Sequence, residues 1–181
     1  MSNKVSGSQD WRTALGHLFD VTTRSQGEGS FAAHRAVLEA QLSLRLPDSL
    51  FALLDCVAVD LKSASRLGEF RWLPVDEIGA MWKLHAQLAD DAEEVDPDIA
   101  GEWDERVLRV THHRWRVPIA EFNGDVWIEL DYAPTAQGVA GQVIQVDPEG
   151  LNWFWLATSL DQLLVDLANG RLLDPDSGTQ D

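Results

Sequence analysis

The chain has 181 residues, 45% of them hydrophobic, and a formal net charge of −16. That length fits one domain, or one domain with appendages, and that acidity argues against nucleic acid and anionic lipid, whose binding rests on attraction between cations and phosphate. It leaves two readings open: a basic protein partner, or acidity that serves solubility alone.

The single cysteine, Cys56, cannot form an internal disulfide, so an oxidising compartment is not indicated. It lies in the apolar run "LFALLDCVAV" and is expected to be buried. No basic segment followed by an apolar one opens the chain, and no apolar run approaches the ~18 residues of a membrane span. The expectation is a soluble, cytoplasmic protein.

In chain order, "DWRTALGHLFDVT" (10–22) predicts a short helix with Trp11, Leu15, Leu18 and Phe19 on one face, and "RSQGEGS" (24–30) a loop. Ser30 is placed to cap a helix from Phe31 to about Leu44. A second helix over 46–59 has Pro47 in its first turn. "GEFRWLP" (68–74) predicts a strand ended by proline. The helix that follows carries Ile78, Met81, Trp82, His85 and Leu88 at steps of three and four, with Asp76 and Glu77 favourably placed in its first turn.

Residues 90–105 hold nine acids and no base, broken by Pro97 and Gly101, and predict an exposed acidic loop. "RVLRV" (106–110) and "WRVPIAEF" (115–122) are expected to be extended. In "DVWIELD", Val126, Ile128 and Leu130 alternate with Trp127, Glu129 and Asp131. "GQVIQVD" (141–147) and "LNWFWLA" (151–157) predict two more strands, the last apolar on both sides and so central or covered. Ser159 and Gln162 match a capping box for a closing helix, which Asn169-Gly170 ends. Helices first, strands clustered in the second half and a final helix predict an α+β domain with a mostly antiparallel sheet, helices packed on one side, and N-terminal helices.

Catalytic patterns are weak. Glu129 and Asp131 sit two apart on a strand, roughly 7 Å, which does not exclude glycosidase-like chemistry, but a solvated strand face reads the same way. Adjacent His112 and His113 on an extended segment point to opposite faces and cannot readily share a metal. HExxH, CxxC, GxGxxG and GxSxG are all absent. No metal and no cofactor are expected. The eight tryptophans either build a packing face under helices or, through Trp127, Trp153 and Trp155, a shelf for a partner.

These segments in this order resemble the SUKH superfamily, in its Smi/Knr-like branch. Glu39 precedes "LRLPDSLFALLD"; then come "RWLPVDEIGAMW", an acidic stretch, "WRVPIAEFNGD", "WIELDYAP", "TAQGVAGQVI" and "LATSLDQLL". The resemblance covers about Glu39 to Gly170. It departs at Val57-Ala58-Val59, where the family has a polar glycine turn, at the shortened "EFNGD", and in the residues up to about Phe31. It implies an extension with a short helix (1–30), a SUKH-like domain (31–172), a disordered tail (173–181), and no enzymatic activity. Structural roles are implied for Pro47, Trp82, Trp115, Pro118, Asp131 and Gly141, with Asp131 fixing its turn through local backbone amides.

Bacterial members resembling this chain are immunity proteins that neutralise a cognate toxin, often a nuclease; fungal ones act in cell-wall assembly and signalling. A toxin or effector with a basic surface is thus the expected partner, met by Asp90, Asp91, Glu93, Glu94, Trp103, Glu121, Asp125 and Glu129. A scaffold or secretion adaptor, and a hydrolase using the strand carboxylates, are the alternatives. The acidic loop is either a binding surface or a solvated tether.

Overall fold

The computed structural model describes residues 29–57, 66–67, 69–176 and 178–180. The expected helix over 10–22 lies outside the described residues, as does the side chain of Cys56. Two helices, α1 (Gly29–Leu42) and α2 (Asp48–Val57), come first. Then follow β1 (Arg66–Leu67), β2 (Phe70–Trp72), α3 (Val75–Leu88) with a 3-10 turn over Ala89–Asp91, β3 (Arg116–Phe122), β4 (Val126–Asp131), β5 (Gln142–Asp147), β6 (Asn152–Ala157), α4 (Leu160–Ala168), β7 (Leu172–Asp174) and β8 (Gly178–Gln180). Strands β1 to β6 form one antiparallel meander in sequence order.

Local chemistry sets the element ends. Ser159 caps α4 by accepting the Gln162 N–H, but the Gln162 side chain turns forward to Asp166, so only half of the expected capping box forms. At the other end Gly170 has φ +95°, and its N–H and that of Arg171 donate to Leu167 O and Asp166 O, closing the helix in a Schellman motif. Ser30 lies within α1 rather than before it. The α1–α2 turn is tied by Glu39, whose carboxylate accepts the Leu46 N–H at 2.9 Å and Arg35 Nε at 3.1 Å.

The sheet is covered on both faces. Directly opposed residues share a face, so Leu130, paired with Val117 and Val143, marks one side. In the main core these meet Leu50, Leu53 and Leu54 of α2 and Leu160, Leu163, Leu164 and Leu167 of α4. Glu129, paired with Pro118 and Ile144, marks the other side, where Ile144, Val146 and Trp153 form a second cluster with Val107. The covering there is the irregular segment 92–115, joined by His85 of α3, which lies against Trp127 and Glu129. The face of Trp127, Glu129 and Asp131, expected to be solvated, is therefore buried, as is every residue of β4.

Two further expectations change. Residues 106–110, expected to be extended, join no ladder: the carbonyls of Leu108 and Val110 accept donors from the Arg116 and Trp153 side chains. Strand β6, expected to be central or covered, is an outer strand and is covered. The segment expected to start a loose tail pairs, β7 with β8, and Gln145 Nε2 holds it by donating to Asp174 O and Pro175 O at 3.0 and 2.7 Å.

Candidate partner-binding surface

The acidic run is a strap fastened along β6. Gly101 N–H donates to Leu151 O, Trp153 N–H to Glu102 O and Asp104 N–H to Trp153 O, at 2.8–2.9 Å, and Trp103 pairs with Trp153 as a short parallel bridge. The outer edge of the sheet is thus blunted by the chain's own backbone. The strap is tied back further along: Val95 N–H donates to Arg109 O, Thr135 Oγ1 to Glu105 O, and Gln142 Nε2 to Arg106 O. Trp153 Nε1 donates to Val110 O at 2.9 Å.

Arg116 is the deepest of these ties. Its side chain is fully buried, donating to Val110 O at 2.8 Å and Leu108 O at 2.6 Å, with Nε 3.4 Å from Asp131 Oδ1. Asp131 also accepts the Ala133 N–H and Gln142 Nε2, each at 3.0 Å. It does fix its turn through a local amide, as expected, and it also anchors a buried charge.

With the backbone held, the strap's side chains face water. Glu93, Asp96, Asp98, Glu102 and Glu105 are exposed, and Trp103 is 41% exposed beneath the Arg109 guanidinium, 4.4 Å from its ring. Asp104 is different: the Arg106 guanidinium, through side-chain hydrogen bonds, holds its carboxyl below the usual range.

The remaining candidate residues separate. Glu94 is exposed and pairs with Arg109 at 2.8 Å, and Asp90 pairs with Arg114. The Asp91 side chain lies outside the described residues. Glu121 is largely covered, binding Arg71 Nε at 2.7 Å and accepting the Gly124 N–H. Asp125 is half-buried and accepts the Val126 N–H. Glu129 has no exposed surface and lies 3.1 Å from His85 Nδ1, so a carboxylate there cannot meet a partner. Alternation marked it as outward because the pattern shows two faces but not that both are covered.

Around Glu129 is a cluster that sequence reasoning missed. The His85 ring stands edge-on to Trp127 at 4.8 Å and lies 4.7 Å from the ring of His112. Burial, with the neighbouring His85 charge, pushes His112 below its usual pKa, and Glu129 only partly opposes that. Burial and Arg116 do the same to His113. No group of three metal-ligating side chains occurs among the described residues.

Above this cluster opens a groove of about 640 Å³ between α3, the β3–β4 turn and the β5–β6 turn. Its wall includes Leu84 and Leu88, 45% and 47% exposed, and its rim carries Asp125 and Glu149.

Residues 36–166 match the family described as SMI1 / KNR4 family (SUKH-1). The chain belongs to that family. No curated protein matches it closely enough to count as a relative. The SUKH-1 match spans α2, α3, the strap and the sheet, and it contains every motif position named from the sequence. In this SUKH-1 chain Pro47 precedes α2 and its carbonyl accepts the Leu50 N–H. Trp82 Nε1 donates to Arg114 O at 2.9 Å. Trp115 is 41% exposed, and its carbonyl accepts the Tyr132 N–H. Pro118 is buried where the β3–β4 register slips. Gly141 holds φ +87°, and its N–H donates to Asp131 O at 2.7 Å. No helix among the described residues is long and apolar enough to cross a membrane.

Proposed function

We propose that this SUKH-1 protein binds a cognate toxin or effector protein and neutralises it by covering its active site, transforming no substrate of its own. One observation carries the reading: nine acids cluster in a segment whose backbone is fastened to the sheet while most of its carboxylates face water. A solvated tether would have no such fastening. A pre-ordered surface loses little conformational entropy on docking, and its field accelerates encounter with a basic groove such as a nuclease presents. Trp103 offers aromatic bulk beside the charge. Family membership and the chain's net charge of −16 support the same reading. Glu129 is excluded from the binding surface by its burial.

The test begins with the partner, captured by the tagged protein from its own cells and identified by mass spectrometry. Replacing Glu93, Asp98, Glu102 and Glu105 by serine removes exposed charge without touching the strap's side-chain ties. The association rate at low salt should fall roughly tenfold or more, and the two proteins should converge at high salt. Equal rates at low salt would remove the electrostatic argument. A partner whose own activity is unaffected by binding would favour a scaffold or adaptor instead.

A further inference from the structure

Resting on that reading, we infer that the groove beside α3 receives an arginine of the partner, flanked by an apolar residue. Leu84 and Leu88 are one helical turn apart on α3, and both are nearly half exposed. They do not stand alone, as scattered surface leucines do, but line one depression with Trp127.

The rim sets the sign of the occupant. Asp125 comes from the β3–β4 turn and Glu149 from the β5–β6 turn, and neither has an ion-pair partner among the described residues. The one arginine of the groove, Arg71, is taken up by Glu77 at 2.9 Å and Glu121 at 2.7 Å. An anionic ligand would thus meet surplus negative charge. Both rim turns are already fixed: Gly124 N–H donates to Glu121 and Val126 N–H to Asp125, while Gly150 N–H donates to Asp147. Little ordering is left to the moment of binding.

Arginine fits better than lysine. Its planar, weakly hydrated guanidinium carries five donors and can address carboxylates from two separate turns, while its aliphatic stem packs on leucine. A compact ammonium does neither as well.

The experiment titrates the ¹⁵N-labelled full chain with acetyl-Leu-Arg-Leu-amide and with the same peptide carrying norleucine or glutamate at the centre. The arginine peptide should give saturable shifts at Leu84, Leu88, Asp125 and Glu149. The norleucine peptide should bind at least fivefold more weakly, and the glutamate peptide should not bind. The Asp125→Asn/Glu149→Gln variant, which keeps the size and hydrogen-bonding oxygen of both side chains, should lose the preference for arginine. Equal responses to all three peptides, or shifts spread over the acidic surface and unchanged in the variant, would overturn the inference. A partner complex that ignores the double variant would sink this site and leave the proposed function standing; absence of any complex would sink the function.

Discussion

Replacing Arg116 with methionine keeps the aliphatic stem and removes the guanidinium that ties the strap's exit to the sheet. The carbonyls of Val110 and Leu108 each lose one donor and keep another, Trp153 Nε1 and the Val110 N–H, while Asp131 is left buried with no cation beside it. With neither carbonyl left unpaired, each lost hydrogen bond costs about 1 kcal/mol, and removing one partner of a buried ion pair costs about 3–5 kcal/mol. These terms overlap. The Leu108 contact is only part-buried, and the 3.4 Å separation from Asp131 is long, so the expected total is about 3 kcal/mol. With a urea slope of about 2 kcal/mol/M, that moves the unfolding midpoint down by about 1.5 M. Tryptophan fluorescence reports the transition, and hydrogen exchange at Asp104 and Trp153 reports the strap. Arg116→Met/Asp131→Leu removes both charges and should be more stable than Arg116→Met alone. A single variant costing under about 1 kcal/mol, or a double variant costing the sum of the singles, would refute the reasoning.

Gly101→Ala should loosen the strap locally: a Cβ there would collide with Asn152 Oδ1, which accepts the Glu102 N–H, and would sit 2.8 Å from Gly150 O. The expected cost is about 1–3 kcal/mol, with faster exchange at Trp153, read by the same two assays. Acid should destabilise the fold through its part-buried histidines. Burial depresses His112 and His113, so as pH falls below their ordinary value of 6.5 the unfolded chain takes up protons that the folded one refuses. Urea unfolding at pH 7.5 and 5.5 should show lower stability at 5.5, and His112→Gln should reduce the difference; equal stability at both pH values would contradict the assigned burial.

Much of this fold was legible because its elements announce themselves locally. The three- and four-residue spacing from Ile78 to Leu88 gives α3, and Asn169-Gly170 gives the end of α4. The period-two runs gave β4 and β5, but period two cannot say whether the second face is wet. That face is closed by His85 of α3 and by residues 92–115, which have no periodicity and are held by Arg116, Trp153 and Gln142. The apolar Val107 and Val110 read as part of an extended segment, and both are buried without joining the sheet. Acidity correctly marked 90–105 as carrying exposed charge, while its backbone attachment to β6 was invisible, since backbone bonds leave no trace in side-chain identity. The groove was missed because it is assembled from separate elements: only the folded turns bring Asp125 and Glu149 beside Leu84 and Leu88.

The most direct measurement is hydrogen exchange on the protein alone and bound to the partner recovered with it. The account predicts new protection at residues 93–105, with the partner's activity lost in the same complex. Protection confined to α1 and α2, with the strap exchanging as in the free protein, would contradict it.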